Sequence, residues 1–370
     1  MKQWKLILQQ ELVLVIAAGA ALISMLFVPP SAGYAEYFDW QVLALLFSLM
    51  AVVAGFQKSG VFDRVSNWLC SRAGTARQIG MVLVMLCFFS SMLITNDVAL
   101  LTFVPFAILM LSMTEQQRLM PYIIVLQTIA ANLGSMVTPV GNPQNLYLYA
   151  RYEMGVAEFF SATIPVTALS FVILLALCMA IPGKSLEQHK TEHHPRMQRR
   201  LLMISALLFV CCLGTVFRFI NWPLTLALVT VVYLIVDREL LRQVDYGLLA
   251  TFLCFFVFTG NLGQIDWIQQ TLGQWMQGRE LWVAALASQV ISNVPAAVLL
   301  SSFTNEGRML LLGCDIGGLG TLIASLASLI SYKAYSRYPA ADKKAFMKIF
   351  LCLNIVLLTL LLLFAQWVLV

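Results

Sequence analysis

The stretch "ANLGSMVTPVGNPQN" (131–145) decides how this 370-residue chain is read. Gly134, Gly141, Pro139 and Pro143 make it the segment most hostile to a helix, yet apolar runs flank it on both sides. The chain is 60% hydrophobic and 11% charged, with a mean hydropathy of +0.84. Soluble domains carry about 25% charged residues, so this composition belongs to an integral membrane protein. Its apolar segments have helix length rather than the alternating pattern of about ten residues that marks barrel strands, which predicts an all-α polytopic fold. The basic "MKQWKLILQQ" leads into an apolar run that ends at Pro30 without a small-residue cleavage site, and reads as a first transmembrane helix rather than a signal peptide.

Charge-free runs fall at 12–30, 40–57, 79–112 (with Asp97), 119–150, 159–183, 201–217, 222–236, 246–265, 281–305, 309–332 (with Asp315) and 349–370. As one helix, 79–112 would measure about 51 Å at 1.5 Å per residue. Thr95, Asn96 and Asp97 interrupt it at the middle. Two legs of about 15 residues reach only about 22 Å, short of the roughly 30 Å hydrocarbon core, which predicts a re-entrant hairpin. The run 281–305 repeats the pattern with Ser292, Asn293, Val294 and Pro295 at its centre. With both runs as hairpins and the N-terminus inside, only Arg151, Arg218, Arg279 and Arg308 of the 23 lysines and arginines face outward, leaving 19 inside. A single crossing at 79–112 would move the basic loop 184–200 outside, against the positive-inside rule.

The halves then correspond. Residues 1–183 form a first repeat, with hairpin 79–112 and broken helix 119–150. Residues 184–221 hold a basic cytoplasmic linker and an extra helix, and 222–370 form a second repeat with hairpin 281–305 and broken helix 309–332. The extra helix reverses the second copy, so the expected architecture is an inverted-topology repeat of nine crossings plus two hairpins, C-terminus outside. "NLGSMVTPVGNPQNL" (132–146) lies over "DIGGLGTLIASLASL" (315–329) without a gap, matching Gly134 to Gly317, Thr138 to Thr321 and Asn132 to Asp315. Before each hairpin lies an amphipathic stretch, with Val61, Phe62, Val65, Trp68 and Leu69 on one face and Ile265, Ile268, Leu272, Trp275 and Met276 on the other's. Both read as helices along the membrane interface.

An opened helix in a bilayer frees backbone groups that lipid cannot satisfy, and is tolerated only inside protein or beside a wet cavity. Freed carbonyls suit a hard cation such as Na⁺, and the helix start beyond a break offers N–H groups to an anion. Kinking or close packing is the plainer use of Gly and Pro, but it leaves two related breaks with polar hairpin partners unexplained. Asp97 and Asp315 are the ionisable residues inside the assigned segments. Burying a charged carboxylate there costs at least about 2.5 kcal/mol, so such residues are usually functional, and both are candidates for coupling to Na⁺ or H⁺. Helix capping is a compatible role. The eight cysteines lack metal-ligand spacing, and His189, His193 and His194 sit in a polar, basic linker that reads as solvated. HExxH, Gly-x-Ser-x-Gly and a Gly-rich nucleotide loop are absent, Asp315 follows Gly-Cys rather than the Gly-x-Gly of an intramembrane aspartyl protease, and the net charge of +5 does not call for nucleic acid.

At these residues the chain resembles the ion transporter superfamily of divalent-anion/Na⁺ symporters, citrate transporters, arsenite permeases and one group of Na⁺/H⁺ antiporters. "TNDVALLTFVPF" and "ISNVPAAVLL" look like its hairpins, and "ANLGSMVTPVGNPQN" and "GCDIGGLGTLIASLASL" like its broken helices. The chain looks most like the compact bacterial anion-transporter members. The resemblance implies a scaffold and a moving transport domain, elevator-type alternating access, a homodimer, and a place in the bacterial cytoplasmic membrane. The divalent-anion symporters carry Ser-Asn-Thr at both tips; Asp97 and Val294 depart from it here.

The function expected is secondary active transport of a small anion or oxyanion, with Na⁺ or H⁺ as coupling ion and no other cofactor. The alternatives are proton-linked arsenite or antimonite export, Na⁺/H⁺ antiport, or a passive channel. Thr95, Asn96, Thr138, Pro139, Asn142, Asn145, Ser292, Asn293, Thr321 and Ser325 are the expected solute contacts. Asn96, Asp97, Asn132, Gly134, Asn293, Asp315 and Gly317 are expected to bind or sense the ion.

Overall fold

The computed structural model describes residues 12–70, 73–183 and 197–369. The basic N-terminal segment, the three histidines and most of the basic linker lie outside the described residues. All regular elements among the described residues are helical. The first half runs α1 (Leu12–Ser24), α2 (Trp40–Lys58), α3 (Val61–Cys70), α4 (Ala76–Ile94), α5 (Asn96–Met113), α6 (Met120–Ser135), α7 (Pro143–Arg151) and α8 (Val156–Met179). Then come α9 (Arg199–Val216), α10 (Trp222–Val236), the single turn α11 (Glu239–Arg242), α12 (Tyr246–Gly263) and α13 (Asp266–Met276). The chain closes with α14 (Glu280–Ile291), α15 (Asn293–Leu300), α16 (Gly307–Gly317), α17 (Leu326–Ser336) and α18 (Lys343–Leu369). Seven of these, α2, α4, α5, α8, α9, α12 and α18, are long and apolar enough to cross a membrane; α1, α10 and α14 are shorter apolar helices.

Local chemistry sets the ends. A capping box between Thr75 and Gln78 starts α4, and Asp39 and Asp245 accept from the backbone N–H of Val42 and Leu248 to start α2 and α12. Pro143 at the first position of α7 needs no N–H donor there. The paired legs differ from the expected length. At 19 and 18 residues, α4 and α5 measure about 27–28 Å, close to a full hydrocarbon core, whereas α14 and α15, at 12 and 8 residues, measure about 18 and 12 Å. Leg α4 is longer than the charge-free run because it begins at Ala76, before Arg77, whose Nε reaches out to donate to the carbonyl of Ile181 at 2.8 Å. A charged side chain of this kind keeps its stem against the helix and its head at the polar edge, so a charge does not end the helix.

Packing follows one scheme in both halves. The legs α4 and α5 pack on each other and on α6; α14 and α15 do the same with α16. Across the halves, α5 packs on α17 while α15 packs on α7, and α12 packs on α1 while α10 packs on α2. The amphipathic helices α3 and α13 are present, with Val65, Trp68, Trp267 and Trp275 more than 40% exposed and Met276 buried.

Candidate functional site

Four chain breaks come together. The link from α4 to α5 is the single residue Thr95 (φ 68°, ψ 151°), and that from α14 to α15 is Ser292 (φ 73°, ψ 155°). A side chain is strained in this region, which glycine alone adopts freely, and such strain collects at functional positions. The next residue repeats as well: the Oδ1 of Asn96 accepts from the N–H of Asp97 at 2.8 Å, and that of Asn293 from the N–H of Val294 at 2.9 Å. The other two breaks, 136–142 and 318–325, follow α6 and α16.

Buried Asn132, near the end of α6, joins them. Its Oδ1 accepts from Asn96 Nδ2 at 2.9 Å and from Ser325 Oγ at 3.0 Å, and its Nδ2 donates to the carbonyl of Gly318 at 3.4 Å. Asn293 stands against the same glycine, because a Cβ on Gly318 would lie 3.1 Å from Asn293 Nδ2. The Asn293 N–H and the Ser292 hydroxyl both donate to the carbonyl of Ala324, at 3.0 and 3.3 Å. The one-residue link between α4 and α5 and the second break therefore meet on a single amide, with the link between α14 and α15 against the same break.

The first break is built against Asp315, which is 1% exposed. Its Oδ1 accepts from Gln144 Nε2 at 3.2 Å, and the amides of Asn142 and Asn145 face the same carboxylate. Asn142 Nδ2 donates to Ser135 Oγ at 2.7 Å; Asn145 Nδ2 donates to the carbonyls of Ser135 and Thr138 at 3.3 and 3.2 Å. That leaves Asp315 Oδ2, Asn142 Oδ1 and Asn145 Oδ1 buried with no hydrogen-bond partner. An orphaned buried oxygen costs about 1–3 kcal/mol, more if charged, so this region has acceptors for donors from water or a ligand. Among the described residues no three His, Cys, Asp or Glu side chains group to hold a metal. A hard cation here would be held by carboxylate and amide oxygens.

The matched residues make matched contacts. Thr138 donates its hydroxyl to the carbonyl of Met92, and Thr321 to that of Gln289 at 3.1 Å. Gly134 packs so closely on α4 that a Cβ would meet the carbonyl of Phe88 and Ser91 Oγ; at Gly317 it would meet Ala285 and Ser288 Oγ on α14. Thr95 lies half-buried at the link from α4 to α5, and Pro139 is buried at the first break. Asp97 is half-buried on the first turn of α5; its backbone N–H donates to Asn96, but its carboxylate makes no hydrogen bond to this network among the described residues.

Two residues that sequence reading passed over, Gln144 and Gln289, carry several of these bonds. Gln289 Nε2 faces the carbonyls of Ala285, Gly317 and Leu319 at 2.8–3.0 Å, and its Oε1 accepts from the N–H of Thr321 at 2.9 Å. An amide inside the apolar leg "WVAALASQVIS" was the available signal. A separate crevice of about 610 Å³, lined in part by Asp39, Trp40, Tyr147, Arg151, Trp222 and Thr259, opens at the far end of α7 from Gln144.

The profile of the citrate transporter family matches residues 5–306. The chain belongs to that family. It is 32% identical over 299 residues to the inner membrane protein YbiR of Escherichia coli K12, covering 80% of each chain. It is likewise 32% identical over 301 residues to an uncharacterised transporter of Methanocaldococcus jannaschii, covering 80% of this chain and 81% of the relative. A silicon efflux transporter of rice is 29% identical over 143 residues, 38% of this chain and 29% of that protein. As a member of the citrate transporter family, the chain is an integral membrane transporter of anions and not an enzyme.

Proposed function

We propose that this family member is a secondary active transporter that carries a small anion or oxyanion across the bacterial cytoplasmic membrane, driven by Na⁺ or H⁺. The observation that carries the reading is the network on Asn132, where two strained tips and the second break meet, beside the orphaned oxygens at the first break. With no basic side chain in it, the solute would be held by Asn96, Asn293, Thr138 and Thr321, by the N–H groups opening α7 and α17, and by the charge of a co-bound cation.

The matched contacts of Thr138 with Thr321 and Gly134 with Gly317 support two inverted repeats, 1–183 and 222–370, about the linker 184–221. The close return of each pair of legs supports two hairpins; both legs come back to one face whether or not the longer tip reaches across. In this reading α4–α8 and α14–α18 form the transport domain, and α1, α2, α9, α10 and α12 form the scaffold that pairs two copies. Helices α3 and α13 would be the arms between them.

The test is thermal unfolding of the purified protein in Na⁺ or choline with citrate, succinate, sulfate, phosphate or arsenite. A ligand at 100 times its dissociation constant stabilises by about 2.7 kcal/mol. One anion stabilising the fold in Na⁺ but not in choline is the expected result; silence from every anion would sink the reading. Buried Asp315 favours one second reading, proton-linked arsenite export or Na⁺/H⁺ exchange. That reading requires expression to raise arsenite or sodium tolerance of cells lacking their own exporters.

A further inference from the structure

We infer that the crevice at the far end of α7 is the outer entrance for the transported anion, and that Arg151 draws the anion into it. The inference rests on the proposed anion transport and adds the way in.

Three residues of α7 carry it. Gln144, Tyr147 and Arg151 are spaced three and four apart, and so share one face of the helix. At the inner end of this stripe Gln144 donates to Asp315 beside the first break. At the other end, about 10 Å along the axis, Arg151 is exposed in the crevice of about 610 Å³. Tyr147 lies between them as the floor. It is 4% exposed, its hydroxyl meets Ser301 Oγ at 2.8 Å, and the Arg151 guanidinium stands beside it. One turn of helix thus separates the bottom of the crevice from Gln144, and the second leg pair reaches the same place through Ser302.

The walls come from both proposed units. Tyr147 and Arg151 stand on α7, whereas Trp40, Trp222 and Thr259 come from α2, α10 and α12. The charges divide in the same way. Glu36 and Asp39 line the wall that leads into α2, where Asp39 also caps that helix through the N–H of Val42. Arg151 is the basic side chain of the lining, and no carboxylate among the described residues lies within ion-pair distance of it. Charge in a cleft with low-dielectric walls focuses its field on what enters. An anion is therefore pushed off the α2 wall toward α7, onto the stripe that ends at Gln144. Arg218 lies close by over the Tyr149 ring, 5.6 Å from its centroid, but does not line the crevice.

Two arms test the entrance. In the first, Ser302→Cys places a thiol in the crevice of a chain whose exposed Cys352 is serine, and intact cells are treated with impermeant thiosulfonates of either charge. The negative reagent should react from outside. Arg151→Gln should slow it at least threefold and speed the positive reagent, Glu36→Gln should do the reverse, and Arg218→Gln should move neither. No reaction from outside, or a charge preference that Arg151→Gln leaves unchanged, would overturn the inference. The second arm is the association rate of the purified protein with citrate, succinate, sulfate and phosphate in turn, followed by the fluorescence of Trp40 and Trp222 in the lining. Arg151→Gln should slow the anion that binds at least threefold at low ionic strength, and Arg151→Lys should keep the wild-type rate. The difference should vanish in about 1 M salt, where charges are screened beyond about 3 Å. A loss shared by Arg151→Lys, or one that persists in high salt, would make Arg151 a structural residue and overturn the inference. If no anion binds, the transport reading falls and the first arm still decides the crevice. If one binds as fast to Arg151→Gln as to the wild type, transport stands and this inference falls.

Discussion

At the scale of the residue, Asn96 tests the site most directly. Its carboxamide serves two masters, accepting from the backbone of α5 and donating across to Asn132. Asn96→Ala removes two hydrogen bonds, each with an ordinary net worth of about 1 kcal/mol, while Ser325 still donates to Asn132. Transport should therefore fall by more than tenfold while the unfolding temperature of the purified variant moves by only a few degrees; wild-type uptake in vesicles would remove Asn96 from the site. Asn96 and Asn293 were legible because polar residues in the middle of an apolar run have few uses other than a break. Gln289 was not, because its bonds reach the second break from another helix, and nothing in the run around it shows where those carbonyls lie. The link from Gln144 to Asp315 joins residues from opposite halves and is hidden from local reading for the same reason.

At the scale of the element, the two glycines matched in sequence mark where α4 lies directly on α6 and α14 on α16. Membrane helices gain little from apolar burial against lipid, and small residues let their backbones approach. At Gly134 a Cβ would sit 2.2 Å from the carbonyl of Phe88, a backbone atom that cannot swing aside. Gly134→Ala should cost about 1–3 kcal/mol by overpacking and lower the unfolding temperature. Gly263→Ala, at a position with no atom within 4 Å, should leave it unchanged or raise it. Equal losses from both would mean that α4 and α6 do not pack as described. The breaks of these elements were legible in their Gly and Pro content, but their lengths were not. A rule that stops a membrane helix at its first charge truncates α4 at Arg77, and it trims α18 of the turns carrying Lys343, Lys344 and Lys348.

At the scale of the whole molecule, two sets of contacts mark opposite faces. Lys58, at the end of α2, pairs with Asp237 at 2.6 Å and Glu239 at 3.3 Å, and the N–H of Gln198 donates to the Ser59 carbonyl beside it. Arg77 at the open end of the first leg pair meets Ile181, which leads into the same basic linker. About 28 Å away along α2, Asp39 and Trp40 share a crevice with Arg151. Next to Arg151, Tyr152 donates to the carbonyls of Ser301 and Thr304 at the open end of the second leg pair, where Thr304 also donates to Glu280. On the proposed topology the Lys58 face is cytoplasmic, and the two leg pairs should then open to opposite sides. Single cysteines at Gly74 and Glu115 flank the first pair, and at Gln277 and Asn305 the second, in a chain whose exposed Cys352 is replaced by serine. An impermeant maleimide added to intact cells should label the second two, and label the first two only after the membrane is opened. Labelling of Gly74→Cys and Glu115→Cys from opposite sides would make α4 and α5 a loop-linked odd crossing rather than a returning pair. All four labelling from one side would remove the inversion, and with it the reason for the second break to meet Asn132 while the first is built against Asp315.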